Sequence, residues 1–438
     1  MCAEPVGAAP VRTTLARMPA SPRPRARAAA VLLLALSVLG RMLNTFGLPY
    51  GSHLVDLRVY TYGAATVFDG RLYSYTFSEF TPGFPLPFTY PPFAAMVMWP
   101  LHLVSPFTVL SVLWQLATVA ALWGVVTLSL RLLLGRRADE PCWRAVALVW
   151  TAVGTWLEPV HTTLDFGQVN VFLALGVLAA ASTHRWWLAG ALVGVLAGFK
   201  LTPAVTGLYF LAQRNVRAAV ASAVVFAATV ALSFVVVPGE ARQYFTGVGL
   251  DAGRVGPVGS AINQSLRGVL SRFVGHDVGT GPIWGVAVLA AAALTLLACR
   301  RLDPGDRLGV LVAVQLLGLL ASPISWSHHW VWLVPALLWL VHGPRAGSLA
   351  ARVLATVVLV VLVADVIKLL LALQPSIWDF SRPVVLSVAA AAYPLLAVAI
   401  LGLMVHRPRP DLTAPHPRDL AGVGGPTAVV DTPGASRR

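Results

Sequence analysis

Charge is what this sequence has least of. Asp, Glu, Lys and Arg make up 11% of its 438 residues, against roughly 25% in soluble domains. So little polar surface excludes a soluble protein of this size. Apolar stretches recur from 28 to 405, which also excludes a single anchor on a soluble domain. Cysteine is nearly absent. Cys2, Cys142 and Cys299 are far apart and form no CxxC or metal spacing, against a disulfide framework or thiolate centre. No glycine-rich nucleotide-binding loop is present. Lysine occurs only at Lys200 and Lys368. What is abundant is apolar: 57% of residues are hydrophobic and the mean hydropathy is +0.75. The expectation is an all-α polytopic membrane protein.

The net charge of +14 would suit a nucleic-acid binder, but its distribution argues otherwise. Of the 32 basic residues, 22 sit in short clusters between apolar segments, at 12–27, 131–144, 185, 214–217, 300–307, 345–352 and 407–438. Outside these clusters ten cations stand against eleven acids. This is the positive-inside pattern, and it places both termini in the cytoplasm. Hydropathy puts spans near 28–48, 108–131, 143–157, 169–183, 186–199, 201–213, 218–237, 283–299, 308–322, 329–343, 353–373 and 384–405. About twelve crossings suit two cytoplasmic ends. The segments 186–199 and 201–213 are short for a bilayer core of about 30 Å, and a re-entrant pair broken at Lys200-Leu201-Thr202-Pro203 is the alternative. The tails 1–27 and 406–438 read as disordered and basic, around a catalytic domain at 28–405 with long outer loops near 49–107 and 238–282.

Polar residues gather where this topology puts the outer face. Asp56 follows the first span with Arg58 and Tyr60, and the same loop ends near Tyr90. A carboxylate at a membrane surface is a candidate general base; the bland reading is a helix cap or a partner for Arg58. Glu158, Asp165, Gln168 and Asn170 form a second cluster, whose amides suit sugar hydroxyls or interhelical hydrogen bonds. Lys200, alone in an apolar segment, needs an anion or cavity water, unless it snorkels. The break at Pro203 frees backbone groups to line a site. The second long loop carries Arg254, Asn263, Gln264 and Ser265; Asn263 also heads a glycosylation sequon. The last cluster is Ser325, Trp326, His328 and His329. Adjacent histidines point about 100° apart on a helix, so both rarely reach one ion. No third ligand stands at zinc spacing, and no metal or cofactor is expected. One histidine reads as a phosphate donor or proton carrier.

Six motifs stand in this order: Asp56-Leu57-Arg58-Val59-Tyr60, the stretch 87–93 (Pro-Phe-Thr-Tyr-Pro-Pro-Phe), Gly167-Gln168-Val169-Asn170, Lys200-Leu201-Thr202-Pro203, Asn263-Gln264-Ser265 and 322–330 (Ser-Pro-Ile-Ser-Trp-Ser-His-His-Trp). In them the chain resembles the actinobacterial GT-C class mannosyltransferases of glycosyltransferase family 87, above all those that elongate phosphatidylinositol mannosides. The resemblance covers about 28–405. It implies a GT-C type fold, a polyprenyl phosphate mannose donor, and an alpha-1,2-linked product formed on the periplasmic face of the cell membrane. It implies a tetramannosylated phosphatidylinositol mannoside as acceptor. Asp56 takes the place of the family's first-loop base. Lys200 and one of His328 and His329, with Arg254, are then the expected partners of the leaving phosphate. Arg58, Tyr60, Tyr90, Glu158, Asp165, Gln168, Asn170, Asn263, Gln264, Ser325 and Trp326 are the expected sugar and acceptor contacts. Two alternatives stay open: a mannosyltransferase that branches lipomannan, and a lipid or polyprenol-phosphate transporter.

Overall fold

A computed structural model describes residues 24–47, 52–81, 83–380 and 382–406. The terminal stretches 1–27 and 406–438 read from the sequence lie outside these residues, apart from 24–27 and His406. The chain is helical nearly throughout. In order the helices are α1 (Pro24–Met42), α2 (Val55–Arg58), α3 (Pro92–Met98), α4 (Phe107–Leu134), α5 (Pro141–Gly154), α6 (Glu158–Phe166) and α7 (Asn170–Ser182). Then come α8 (Trp186–Phe199), α9 (Thr206–Ala212), α10 (Val216–Val236), α11 (Pro238–Thr246), α12 (Leu266–Val274) and α13 (Pro282–Arg301). The last six are α14 (Arg307–Ala321), α15 (Leu333–His342), α16 (Leu349–Val363), α17 (Val366–Ala372), α18 (Val384–Ala389) and α19 (Ala392–Val405). A two-residue hairpin, β1 (Thr76–Phe77) with β2 (Leu86–Pro87), sits in the first long loop.

Local chemistry sets the boundaries. Proline opens α3, α5, α11 and α13, where its missing N–H costs nothing. Asn215, Ser265, Asp306 and Ser348 cap α10, α12, α14 and α16 by accepting a backbone N–H.

Among the described residues, four helical stretches are long and apolar enough to cross a membrane: Pro24–Gly47, Phe107–Asp139, Val216–Val236 and Pro282–Arg301. The number rises to six if the bent pairs α6–α7 and α16–α17 each count as one span. The other expected spans fall on shorter apolar helices such as α8, α14 and α19. Helices α1, α10 and α13 turn large apolar side chains outward, among them Leu36, Val224 and Leu289. Water would punish such faces and lipid does not. Helices α14 and α15 form the centre; Leu333 to Leu340 of α15 are all buried. A second, smaller core gathers Leu57, Tyr60, Phe88 and Ala94 of the first long loop against Val169 and Leu173.

Helices α8 and α10 run parallel and nearly touch. A Cβ on Gly190, Gly194 or Gly198 would lie within 2.7 Å of α10 atoms, and on Gly198 only 2.2 Å from Thr229 Oγ1. Small residues every fourth position let two backbones meet without a water-driven force. This column ends at Lys200, where the chain breaks into extended backbone and a 3-10 turn at Thr202–Val205 before α9.

Candidate active site

Three corners of the fold deliver the site. The first is the entry to α2, where buried Leu54 holds a left-handed φ of +47°. Such a conformation costs a bulky residue about 1–3 kcal/mol and persists only when its surroundings impose it. It turns the chain so that Asp56 lies in the first turn of α2. The second is the 120° corner between α6 and α7. Gly167 makes it with a φ of +73°, and a Cβ there would lie 2.6 Å from Leu57 Cβ. Only glycine meets both demands. Its fit against α2 sets Gln168 beside Asp56. The third is the break at Lys200.

The polar groups form one connected chain. Gln168 donates from Nε2 to Asp56 Oδ2 at 2.8 Å. Its Oε1 accepts the Tyr60 hydroxyl at 2.8 Å and the Tyr90 hydroxyl at 3.2 Å, and the two tyrosine oxygens lie 2.8 Å apart. The Lys200 ammonium donates to the Tyr90 hydroxyl at 3.1 Å, to Asn170 Oδ1 at 2.9 Å and to His329 Nε2 at 3.2 Å. Asn170 Nδ2 donates to the His328 carbonyl at 3.0 Å. Asp56, Lys200 and His329 are half-buried, while Gln168, Asn170, Tyr60 and Tyr90 are buried. Asp56 and Lys200 are therefore presented at the edge of one hydrogen-bonded wall. Burial pushes the Asp56 carboxyl up to about 6, against the Gln168 hydrogen bond and the nearby Lys200 charge.

The structure separates the two histidines. Lys200 Nζ lies 3.2 Å from His329 Nε2, while His329 Nδ1 and both ring nitrogens of His328 are buried without a partner among the described residues. His328 instead packs edge-on against Phe166 and His329.

Asp56 is not paired with Arg58, and α2 has no side-chain cap. Arg58 Nε donates to the His53 carbonyl at 3.1 Å, and its guanidinium stacks on Phe80 and Phe107. Several expected sugar contacts are bonded to other protein groups instead. Glu158 is 2% exposed and accepts from Thr162 and Tyr393. Asp165 pairs with Arg41 and lies beside His161. Asn263 is fully buried; it donates to the Val258 carbonyl and accepts from the backbone of Ser265 and Ser325. That environment leaves no room for a glycan on the sequon. Gln264 donates to the carbonyls of Ala261 and Ala390 and accepts the Tyr393 N–H. Ser325 is fully buried, and Trp326 pairs with Asn263 and covers Gly256. Arg254 is not among the groups around Lys200. It binds the carbonyl of Tyr73, a residue the sequence did not flag, whose hydroxyl donates to the Tyr90 carbonyl at 2.9 Å. Glu240, also unflagged, accepts the Leu72 N–H at 3.0 Å and ties α11 to the same loop.

Beside Lys200 runs a narrow, mostly apolar cleft lined by Asn170, Val177, Thr202, Pro203, Leu319 and His329. Among the described residues no group of three or more His, Cys, Asp or Glu is placed to hold a metal ion.

Helices with lipid-compatible faces, and a carboxylate and a lysine joined through Gln168 and Tyr90, fit a membrane-embedded group-transfer enzyme. The chain matches glycosyltransferase family 87 over residues 88–323 and belongs to that family; it is a glycosyltransferase. It is 50% identical over 388 residues to the polyprenol-phosphate-mannose-dependent alpha-(1-2)-phosphatidylinositol pentamannoside mannosyltransferase of Mycobacterium tuberculosis, covering 88% of this chain and 89% of the relative. The enzyme of the same name from Mycolicibacterium smegmatis is 50% identical over 376 residues, covering 85% and 90%. Among solved structures, ArnT from Cupriavidus metallidurans bound to undecaprenyl phosphate is 18% identical, with a TM-score of 0.36, covering 86% of this chain and 77% of that one.

Proposed function

We propose that this enzyme transfers mannose from polyprenyl phosphate mannose to the 2-hydroxyl of a tetramannosylated phosphatidylinositol mannoside, on the periplasmic face of the cell membrane. The product is an alpha-1,2-linked pentamannoside, on the way to the hexamannoside. One observation carries the reading: the unbroken hydrogen-bonded chain from Asp56 through Gln168 and Tyr90 to Lys200 and His329. It holds a proton acceptor and a phosphate-binding cation in one wall. The names of the mycobacterial relatives support the donor and the acceptor class. The arginine clusters support a topology with both termini in the cytoplasm and Asp56 outside.

In the reaction, Asp56 takes the proton of the acceptor hydroxyl as its oxygen bonds to C1 of the donor sugar. The bond from C1 to the phosphate oxygen breaks, and its electron pair leaves with the polyprenyl phosphate. In-line attack on a beta-linked donor gives the alpha product. Lys200 neutralises charge on the leaving phosphate, with His329 beside it as a further polar contact. Asn170 and Tyr90 hold Lys200 in place, and Gln168 fixes the face of Asp56 that meets the acceptor. No step calls for a metal.

The deciding experiment incubates the purified enzyme with labelled polyprenyl phosphate mannose and either phosphatidylinositol tetramannoside or lipomannan. Label in a pentamannosylated glycolipid supports the proposal. Label in the polymer alone favours the lipomannan branching enzyme, and label carried across a bilayer without a new glycoside favours a transporter.

A further inference from the structure

The strongest unexplained feature lies at the other end of the α8–α10 column. Gly190 faces Ala218 and Ser222, and Gly198 faces Thr229, so both helices start at the end away from Lys200. At about 1.5 Å per residue, the fourteen residues of α8 put that end roughly 20 Å from Lys200. A cavity of about 220 Å³ opens there, lined among others by Thr183, His184, Tyr209, Gln213, Asn215 and Arg307.

The lining is built for an anion. It contains Arg307 and no acidic side chain. Asp306, next in the chain, is turned away and accepts from Trp339 Nε1 and the Gly309 N–H. Arg307 is fixed by one guanidinium nitrogen on the Ala181 carbonyl and also interacts with the Tyr209 side chain. Asn215 spends its oxygen capping α10, which leaves its NH2 as a donor. The starts of α8, α10 and α14 all meet the cavity wall, and helix N-termini favour negative charge. The exposed residues Arg185 and Arg214 flank it in sequence.

The surroundings identify a lipid. Trp186 and Trp187, at the start of α8, are 43% and 52% exposed, the placement of tryptophans at a membrane interface. Leu211, Val216 and Val220 beside the cavity turn outward, an apolar surface on which acyl chains can lie. We propose that this cavity binds the phosphate of an anionic phospholipid, with Arg307 as its charge partner and His184, Gln213 and Asn215 as further donors. Basic pockets between membrane helices are suited to such headgroups. The site is separate from the catalytic wall and serves anchoring or lipid-dependent stability of the α8–α10 column.

The test uses the full chain in a neutral detergent and reads the melting temperature against added dihexanoyl phosphatidylglycerol, dihexanoyl phosphatidylcholine and inorganic phosphate. Phosphatidylglycerol is expected to raise the melting temperature saturably and phosphatidylcholine is not. Arg307→Gln and Gln213→Glu should each raise the half-saturating lipid concentration about tenfold or more. Gln213 makes no side-chain hydrogen bond among the described residues, so Q213E keeps the test open should R307Q fail to fold. Equal shifts by both lipids, or Q213E responding like wild type, would overturn the proposal. A saturable shift with inorganic phosphate and none with phosphatidylglycerol would assign the cavity to the free ion and overturn the lipid.

Discussion

Gln168 donates its amide hydrogen to the Asp56 carboxylate at 2.8 Å and accepts the Tyr60 hydroxyl through its oxygen. The amide thus has one orientation, and one carboxylate oxygen is always occupied. The free oxygen is the one that can take a proton. Lys200 reaches the same assembly from the other side through Tyr90.

Transfer should depend on pH through Asp56. Burial first, opposed by the Gln168 hydrogen bond and Lys200, sets its carboxyl near 6. A base works only when deprotonated, so kcat/KM should rise as pH rises through about 6 and fall away below it. A profile of kcat/KM from pH 4.5 to 8 at saturating acceptor checks this. A flat acid limb would remove Asp56 as the titrating group. Gln168→Leu should move the limb to higher pH, since it deletes a hydrogen bond to the charged form.

Lys200→Ala should lower kcat/KM for the donor by about 10²–10³, the usual loss when a transition-state charge partner is removed. Because Lys200 touches Tyr90, Asn170 and His329 at once, Lys200→Arg should restore only part of the rate. Equal donor kinetics for K200A and wild type would contradict the assignment.

The two histidines should differ. His329→Ala removes the group that faces Lys200 and should act mainly on use of the donor. His328→Ala leaves its backbone carbonyl, which is what Asn170 and Thr163 bind, and should act mainly on stability. Parallel donor titrations and melting curves separate these outcomes; a reversed pattern would exchange their roles.

Gly167→Ala should damage catalysis through position. The added methyl meets Leu57 at 2.6 Å on a backbone with positive φ, an overpacking cost of about 1–3 kcal/mol. Since Leu57 neighbours Asp56, kcat should fall further than the drop in melting temperature explains. Gly198→Ala, which crowds Thr229 below Lys200, should weaken donor handling instead.

Activity is expected to survive a chelator. Assays with and without excess EDTA, and with Mg2+ or Mn2+ added back, check this; loss and divalent-specific recovery would require a metal in the mechanism.

Part of the candidate site is legible in the sequence. Asp56, Gln168, Asn170 and Lys200 stand out because a polar group in an apolar neighbourhood needs a partner, and the arginines place all four toward one face. The break at Lys200 was legible from Pro203. Sequence could not separate polar groups that face a substrate from those that the backbone satisfies. Glu158, Asn263 and Gln264 have the same chemistry as the site residues, yet Glu158 and Gln264 are bound by Tyr393 and the Ala390 carbonyl, far away in the chain, and Asn263 by the nearby Val258 carbonyl that only the folded loop brings within reach. Tyr73 and Glu240 were invisible for the opposite reason: nothing in a loop tyrosine or a first-turn glutamate reveals that it braces Tyr90 and Leu72. Span counting ran into helix length, because a fourteen-residue helix such as α8 is apolar enough for lipid but reaches only about 21 Å.

The most direct measurement is a single-turnover assay of Asp56→Asn loaded with labelled polyprenyl phosphate mannose. The substitution keeps the hydrogen-bonding shape toward Gln168 and deletes the proton acceptor. Donor should bind with near wild-type affinity while transfer to the acceptor falls by about 10²–10⁴-fold or more. Wild-type transfer by D56N would contradict the account at its centre.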